Sequence, residues 1–358
     1  MADAGETKTL EAKCSCGDVH LTFDVPVSLL PLPVYLCHCS LCRYATGSPC
    51  TFHTALPEGL LPKFLGDSSE EKLTSWLSHD GRGCTYDFCS RCGCHVGGVS
   101  IDRKQWTPTT SIFTDHGPEN FKIGQHVFSE SAKDGGISSM VTHIRGQQLG
   151  SWNPAADDPT AKLVESKTEV GEDGEERLRA QCQCGGVSFT IRRPTQAVLD
   201  DPVLSKFVSP RDKTKWMGLY DICNDCRLVT GTHVVGWTFV PLSLCEPRID
   251  TTLKIGTSKT YSTSEGVLRS FCGTCGATVF FTCTERRPNE AQTVVDIATG
   301  ILRAPEGVMA ENWLTWRTRP AYLASGVGYD KGFGEALDEG MKRWAVDKYG
   351  EEINDEVG

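Results

Sequence analysis

The sequence predicts a mostly β protein of two repeated domains, with a helix at its C-terminal end. Three observations carry that expectation. Stretches in which apolar and polar residues alternate outnumber stretches of helical period. Cysteines stand in close pairs and one triplet, several of them followed by glycine. The same ordered set of cysteine motifs occurs twice in 358 residues, a length that suits two domains with ample cores.

The duplication is collinear. Leu10-Glu11-Ala12-Lys13-Cys14-Ser15-Cys16-Gly17 returns as Leu178-Arg179-Ala180-Gln181-Cys182-Gln183-Cys184-Gly185, displaced by 168 positions. Cys39-Ser40-Leu41-Cys42-Arg43 with Gly47 returns as Cys223-Asn224-Asp225-Cys226-Arg227 with Gly231, displaced by 184. Phe88-Cys89-Ser90-Arg91-Cys92-Gly93 returns as Phe271-Cys272-Gly273-Thr274-Cys275-Gly276, displaced by 183. The change of offset places about sixteen extra residues in the second copy, expected as a surface loop at Val203 to Leu219. The expected domains are residues 8–150 and 178–350, joined by an acidic linker over 151–177 that is poor in large apolar residues.

Val19, Leu21, Phe23 and Val25 alternate with polar residues, as do Val187, Phe189 and Ile191, and period two of this kind means a half-buried strand. Further strands are expected at Thr232 to Val240, Val267 to Phe271, Ala277 to Thr282 and Thr293 to Ile297. Asp330 to Tyr349 reads as a helix with Phe333, Leu337, Met341 and Trp344 on one face, expected to pack on a sheet.

A formal net charge of -10 without a basic stripe argues against a nucleic-acid partner. No apolar run approaches the ~18 to 20 residues of a membrane span. Met1-Ala2-Asp3-Ala4-Gly5-Glu6 has neither the positive start nor the apolar run of a secretion signal. A cytoplasmic, reducing setting is therefore expected. There, 18 cysteines at such spacings indicate metal binding or thiol chemistry rather than disulfides.

Cys14 and Cys16 with Cys89 and Cys92 make a complete four-thiol set, read as a structural zinc site whose binding energy becomes folding energy. Cys182, Cys184, Cys272 and Cys275 repeat it. The triplet Cys37, Cys39, Cys42 is different, because three ligands leave a fourth position open to water or substrate. These three are the expected catalytic centre. Arg43 beside them either offsets the charge of three thiolates, holds an anionic group of a bound molecule, or makes an ordinary salt bridge. His38 is either a partner of the ligands or a packed histidine. In the second copy Asp221 stands where Cys37 would be, so Asp221, Cys223 and Cys226 form a mixed set with less soft-ligand character. Cys50, Cys84, Cys94, Cys245 and Cys283 are expected as small buried residues.

The order Cys-x-Cys-Gly, Cys-His-Cys-x-x-Cys-Arg, Phe-Cys-x-x-Cys-Gly resembles the glutathione-dependent formaldehyde-activating family, which includes the centromere protein V domain. The resemblance covers both halves, with Asp221 as the departure. It implies an Mss4-like zinc-stabilised β fold with one structural zinc on the four-cysteine set and a second on the triplet. It also implies a carbon-sulfur lyase, or an S-(hydroxymethyl)glutathione synthase joining formaldehyde to glutathione, with small-molecule thiol and aldehyde substrates. The alternative is a non-catalytic zinc-stabilised module that binds a protein or small molecule.

Overall fold

The computed structural model describes residues 5–78, 83–155, 158 and 166–353. The protein is mostly β, with several sheets and a long C-terminal helix. In the first half, Thr7–Lys13 pairs antiparallel with His20–Pro26, whose Leu21, Phe23 and Val25 are fully buried. Alternation at period two thus places one face of this hairpin in the core. Four antiparallel strands, Leu73–Leu77, Cys84–Cys89, His95–Ser100 and Trp106–Pro108, form a second sheet. A third sheet centres on Leu32–Cys37, which pairs antiparallel with Thr51–His53 and parallel with Phe121–Val127.

The second half repeats this order. Ser258–Tyr261, Leu268–Cys272, Thr278–Thr282, Val294–Ala298, Val235–Pro241, Trp216–Asp221 and Leu314–Trp316 run side by side as one sheet of seven. In the first half a single bridge, His53 to Thr109, spans the corresponding gap. In the second, five residue pairs from Trp237–Ala298 to Pro241–Val294 close it.

Six α-helices occur among the described residues: α1 Ser40–Thr46, α2 Gly136–Met140, α3 Gln196–Asp200, α4 Asn224–Thr230, α5 Leu323–Tyr329 and α6 Lys331–Tyr349. The helices α1 and α4 are built alike. Cys39 and Cys223 are their N-caps, each sulfur accepting the amide hydrogen of Cys42 or Cys226 at 3.3 Å. Gly47 and Gly231 end them in the left-handed region, with φ of 78° and 74°.

The halves pack through contacts that occur in reciprocal pairs. The Ser15 amide donates to Leu228 O at 3.0 Å, and the Gln183 amide donates to Tyr44 O at 2.9 Å. A Cβ on Gly47 would stand 2.3 Å from Thr278 O, and one on Gly231 would stand 2.2 Å from His95 O. Phe88 and Phe271 meet edge-on, centroids 6.4 Å apart. One continuous apolar core runs through both halves.

Three expectations about connections change. In the stretch 151–177, part of which lies outside the described residues, Glu169–Val170 pairs with Arg177 and Glu176. Arg177 is buried, its Nε 2.7 Å from Glu246, so the end of this stretch belongs to the second-half sheet rather than to a solvated tether. The extra residues of the second half form α3 and the turns up to Lys215; Trp216–Leu219, expected in a loop, lies in a buried strand. Helix α6 buries Phe333, Leu337 and Met341 as its period requires. It packs on α2 and α5 rather than on a broad sheet, and Phe333 meets Phe52 edge-on at 4.9 Å.

Candidate metal centres

Each four-cysteine set is assembled by two tight turns. Gly17 and Gly93, at φ of 78° and 81°, and Gly185 and Gly276, at 74° and 83°, bend the chain where a side chain would be strained. Cys14 Sγ lies 3.5 Å from Cys16 Sγ, which lies 3.5 Å from Cys89 Sγ. The second set gives the same 3.5 Å for Cys182 to Cys184 and Cys184 to Cys272. Zinc–sulfur bonds of about 2.3 Å in a tetrahedron require sulfurs about 3.8 Å apart, so both sets fit a zinc ion. Backbone amides already face the sulfurs: Val19 N to Cys14 at 3.4 Å, Val187 N to Cys182 at 3.3 Å. Cys184 is only half buried, and hydrogen bonding from Cys182 holds its thiol down at about 7.

Cys37 ends a strand, Cys39 caps α1 and Cys42 lies in its first turn, so an extended segment and a helix start bring three buried sulfurs together. Cys37 Sγ stands 3.4 Å from Cys39 Sγ. Contact with Cys39 and Cys42, together with burial, pushes the Cys37 thiol well above its usual range. Ionising all three thiols would thus take a cation among them, and the all-sulfur donor set suits zinc. All three clusters are sets that can hold metal ions.

The triplet opens on a cavity of about 310 Å³ to which Cys37 and Cys42 contribute. Four of its walls were not legible as site residues: Tyr86, whose hydroxyl is 3.4 Å from Cys42 Sγ, His53, Cys84 and Phe128. Phe128 holds a φ of 56°, a costly conformation for an aromatic residue and one that tends to mark functional sites. Burial pushes His53 down to about 4, so it is a neutral imidazole at pH 7. Cys84, expected as buried filler, is half buried and lines this cavity; Cys283 is half buried too, whereas Cys50, Cys94 and Cys245 are buried.

Arg43 does not face this cavity. Its guanidinium turns to the main chain, Nε to His38 O at 3.0 Å and Nη2 to Ser131 O at 3.2 Å, and so braces the ligand loop. His38 is a packed histidine, its Nε2 2.9 Å from His126 Nδ1.

Asp221, Cys223 and Cys226 are also brought together, with a different neighbour. Asp221 Oδ1 accepts the Cys223 amide at 2.7 Å, and Arg269 Nη1 lies 3.6 Å from Cys226 Sγ. Arg269 occupies the position of Tyr86 in the repeated motif. One exchange, Cys37 to Asp221, thus accompanies another, Tyr86 to Arg269. A guanidinium beside a ligand sulfur supplies part of the positive charge that a metal ion would supply, while the three donor atoms still lie close enough together for one ion. The cavity in front of it is about 630 Å³, walled by Trp237, Phe239, Phe281, Arg286 and Asp296. Burial raises Asp296 to about 7 despite Arg286 at 3.0 Å.

Sheets pinned by thiol clusters, with one cluster of three opening on a cavity, define a cysteine-rich metal-site β protein. Residues 9–131 match the family described as glutathione-dependent formaldehyde-activating enzyme. The match takes in Cys14, Cys16, Cys37, Cys39, Cys42, Cys89 and Cys92. No curated protein matches the chain. No helix among the described residues is long and apolar enough to cross a membrane.

Proposed function

We propose that residues 8–150 form the catalytic domain of a zinc-dependent carbon-sulfur lyase-type enzyme that makes or cleaves a thiol–aldehyde adduct, such as S-(hydroxymethyl)glutathione from glutathione and formaldehyde. The observation that supports it is a complete three-thiol set opening on a cavity within the segment that matches this family. In the forward direction the thiol S–H bond breaks, a bond forms between sulfur and the aldehyde carbon, and the carbonyl oxygen takes up a proton. Zinc held by Cys37, Cys39 and Cys42 would lower the pKa of an incoming thiol and so supply thiolate at neutral pH. Tyr86, at 3.4 Å from Cys42 Sγ, is placed to donate a proton toward the developing oxyanion, and Arg43 keeps the ligand loop in shape from behind.

For residues 178–350 a second reading is favoured, that of a binding module. Asp221 with Arg269 replaces Cys37 with Tyr86, and the larger cavity there suits a small organic molecule. The zinc-loaded protein, incubated with glutathione and formaldehyde, should form adduct faster than the spontaneous reaction. A rate equal to the spontaneous one, with the metal present, rejects the enzymatic reading in favour of a binding role for both halves.

A further inference from the structure

His116, His233 and Asp330 meet at the seam between the halves, from three segments far apart in the chain, and all three are buried. We propose that they form a further divalent-metal site, separate from the cysteine clusters, which pins α6 and the second half to the first.

The geometry is that of ligands rather than of a hydrogen-bonded staple. His116 Nδ1 lies 2.9 Å and His233 Nε2 3.7 Å from the same oxygen, Asp330 Oδ2. Donors about 2.1 Å from a common ion stand about 3.4 Å apart in a tetrahedron, and these two distances bracket that value. Neither nitrogen makes a well-aligned hydrogen bond, although both are buried. An unsatisfied buried nitrogen is costly, and coordination removes the cost for both.

The surroundings hold the donors in place. Ser111 Oγ is 2.6 Å from His233 Nδ1, the kind of outer partner that fixes a ligating imidazole. The His116 ring stacks on Phe121 and the His233 ring on Phe52. Asp330 Oδ1 is used separately, accepting the Phe333 amide at 3.0 Å as the cap of α6. Arg227, a cation close by, is turned into the face of Tyr329 at 3.5 Å. Two imidazoles and a carboxylate suit a first-row divalent ion, zinc foremost. With all three residues buried, its role is structural.

The test counts metal ions in the full chain, expressed with zinc and dialysed, by elemental analysis and native mass spectrometry. Asp330→Asn keeps a good helix cap but removes the charged ligand, so it should fold and hold one zinc fewer than wild type. His233→Ala should lose the same ion. Cobalt-loaded variants should keep the sulfur-to-cobalt charge-transfer band of the cysteine clusters while losing absorption from the nitrogen and oxygen site. Equal zinc counts in the wild type and Asp330→Asn overturn the proposal and leave the cluster as a packed polar staple.

Discussion

Tyr86 and Arg269 hold equivalent places beside the last cysteine of each site, as Cys37 and Asp221 hold equivalent places at the first ligand. A third thiolate needs a metal to offset it; a carboxylate and a guanidinium offset each other. If so, Cys39→Ala should return adduct formation to the spontaneous rate while the fold persists, because both four-cysteine sets are untouched. Cys223→Ala should change the rate far less. Unchanged turnover in Cys39→Ala with loss in Cys223→Ala would move the chemistry to the second half. The paired exchange can also be reversed: Asp221→Cys with Arg269→Tyr should add one zinc ion per chain, and an unchanged zinc count in that variant refutes the charge argument.

The cysteine turns and the helix α6 make separate demands on stability. Cys89→Ser removes a ligand that joins segments 73 residues apart, and should cost several kcal/mol, on the order of a lost structural metal. Melting at the wild-type temperature with unchanged zinc would show the four-cysteine set to be merely packed thiols. Gly340, in the middle of α6, gives the opposite of the propensity rule. Glycine to alanine in an exposed helix gains about 1 kcal/mol. Here a Cβ would stand 2.0 Å from Met140 O, so Gly340→Ala should lower the melting temperature and a higher one would refute the close packing of α6 on α2.

These elements also separate what sequence reading reaches from what it misses. Ligand spacing and period two are local, so the cysteine sets and the strand Leu268–Cys272 were legible within a residue or two. Arg43 was not, because the carbonyl it braces, Ser131 O, lies 88 positions away. Nor was Tyr86, which reaches Cys42 from a strand 44 positions further along, or the cluster of His116, His233 and Asp330, three single residues with no spacing to mark them. The apolar stripe of α6 told which face is buried and not what covers it.

At the scale of the molecule, the reciprocal seam links the cysteine clusters of one half to those of the other. The Gln183 amide, between the ligands Cys182 and Cys184, donates to Tyr44 O at the end of α1. Arg303 bridges the same places, its Nη2 3.2 Å from Cys182 O and its guanidinium 3.3 Å over the Tyr44 ring. Since α1 carries Cys42 and is capped by Cys39, the geometry of the open triplet depends on a turn that a second-half metal would hold. Cys184→Ser tests this at the least buried ligand, where the remaining fold suffers least. It should lower the rate of adduct formation several-fold at temperatures well below melting, although it touches no residue of the first half. Hydrogen exchange at the Gln183 amide should quicken in step. A variant that has lost the second-half zinc yet keeps both the wild-type rate and slow exchange at Gln183 would show that the two halves work independently across their seam.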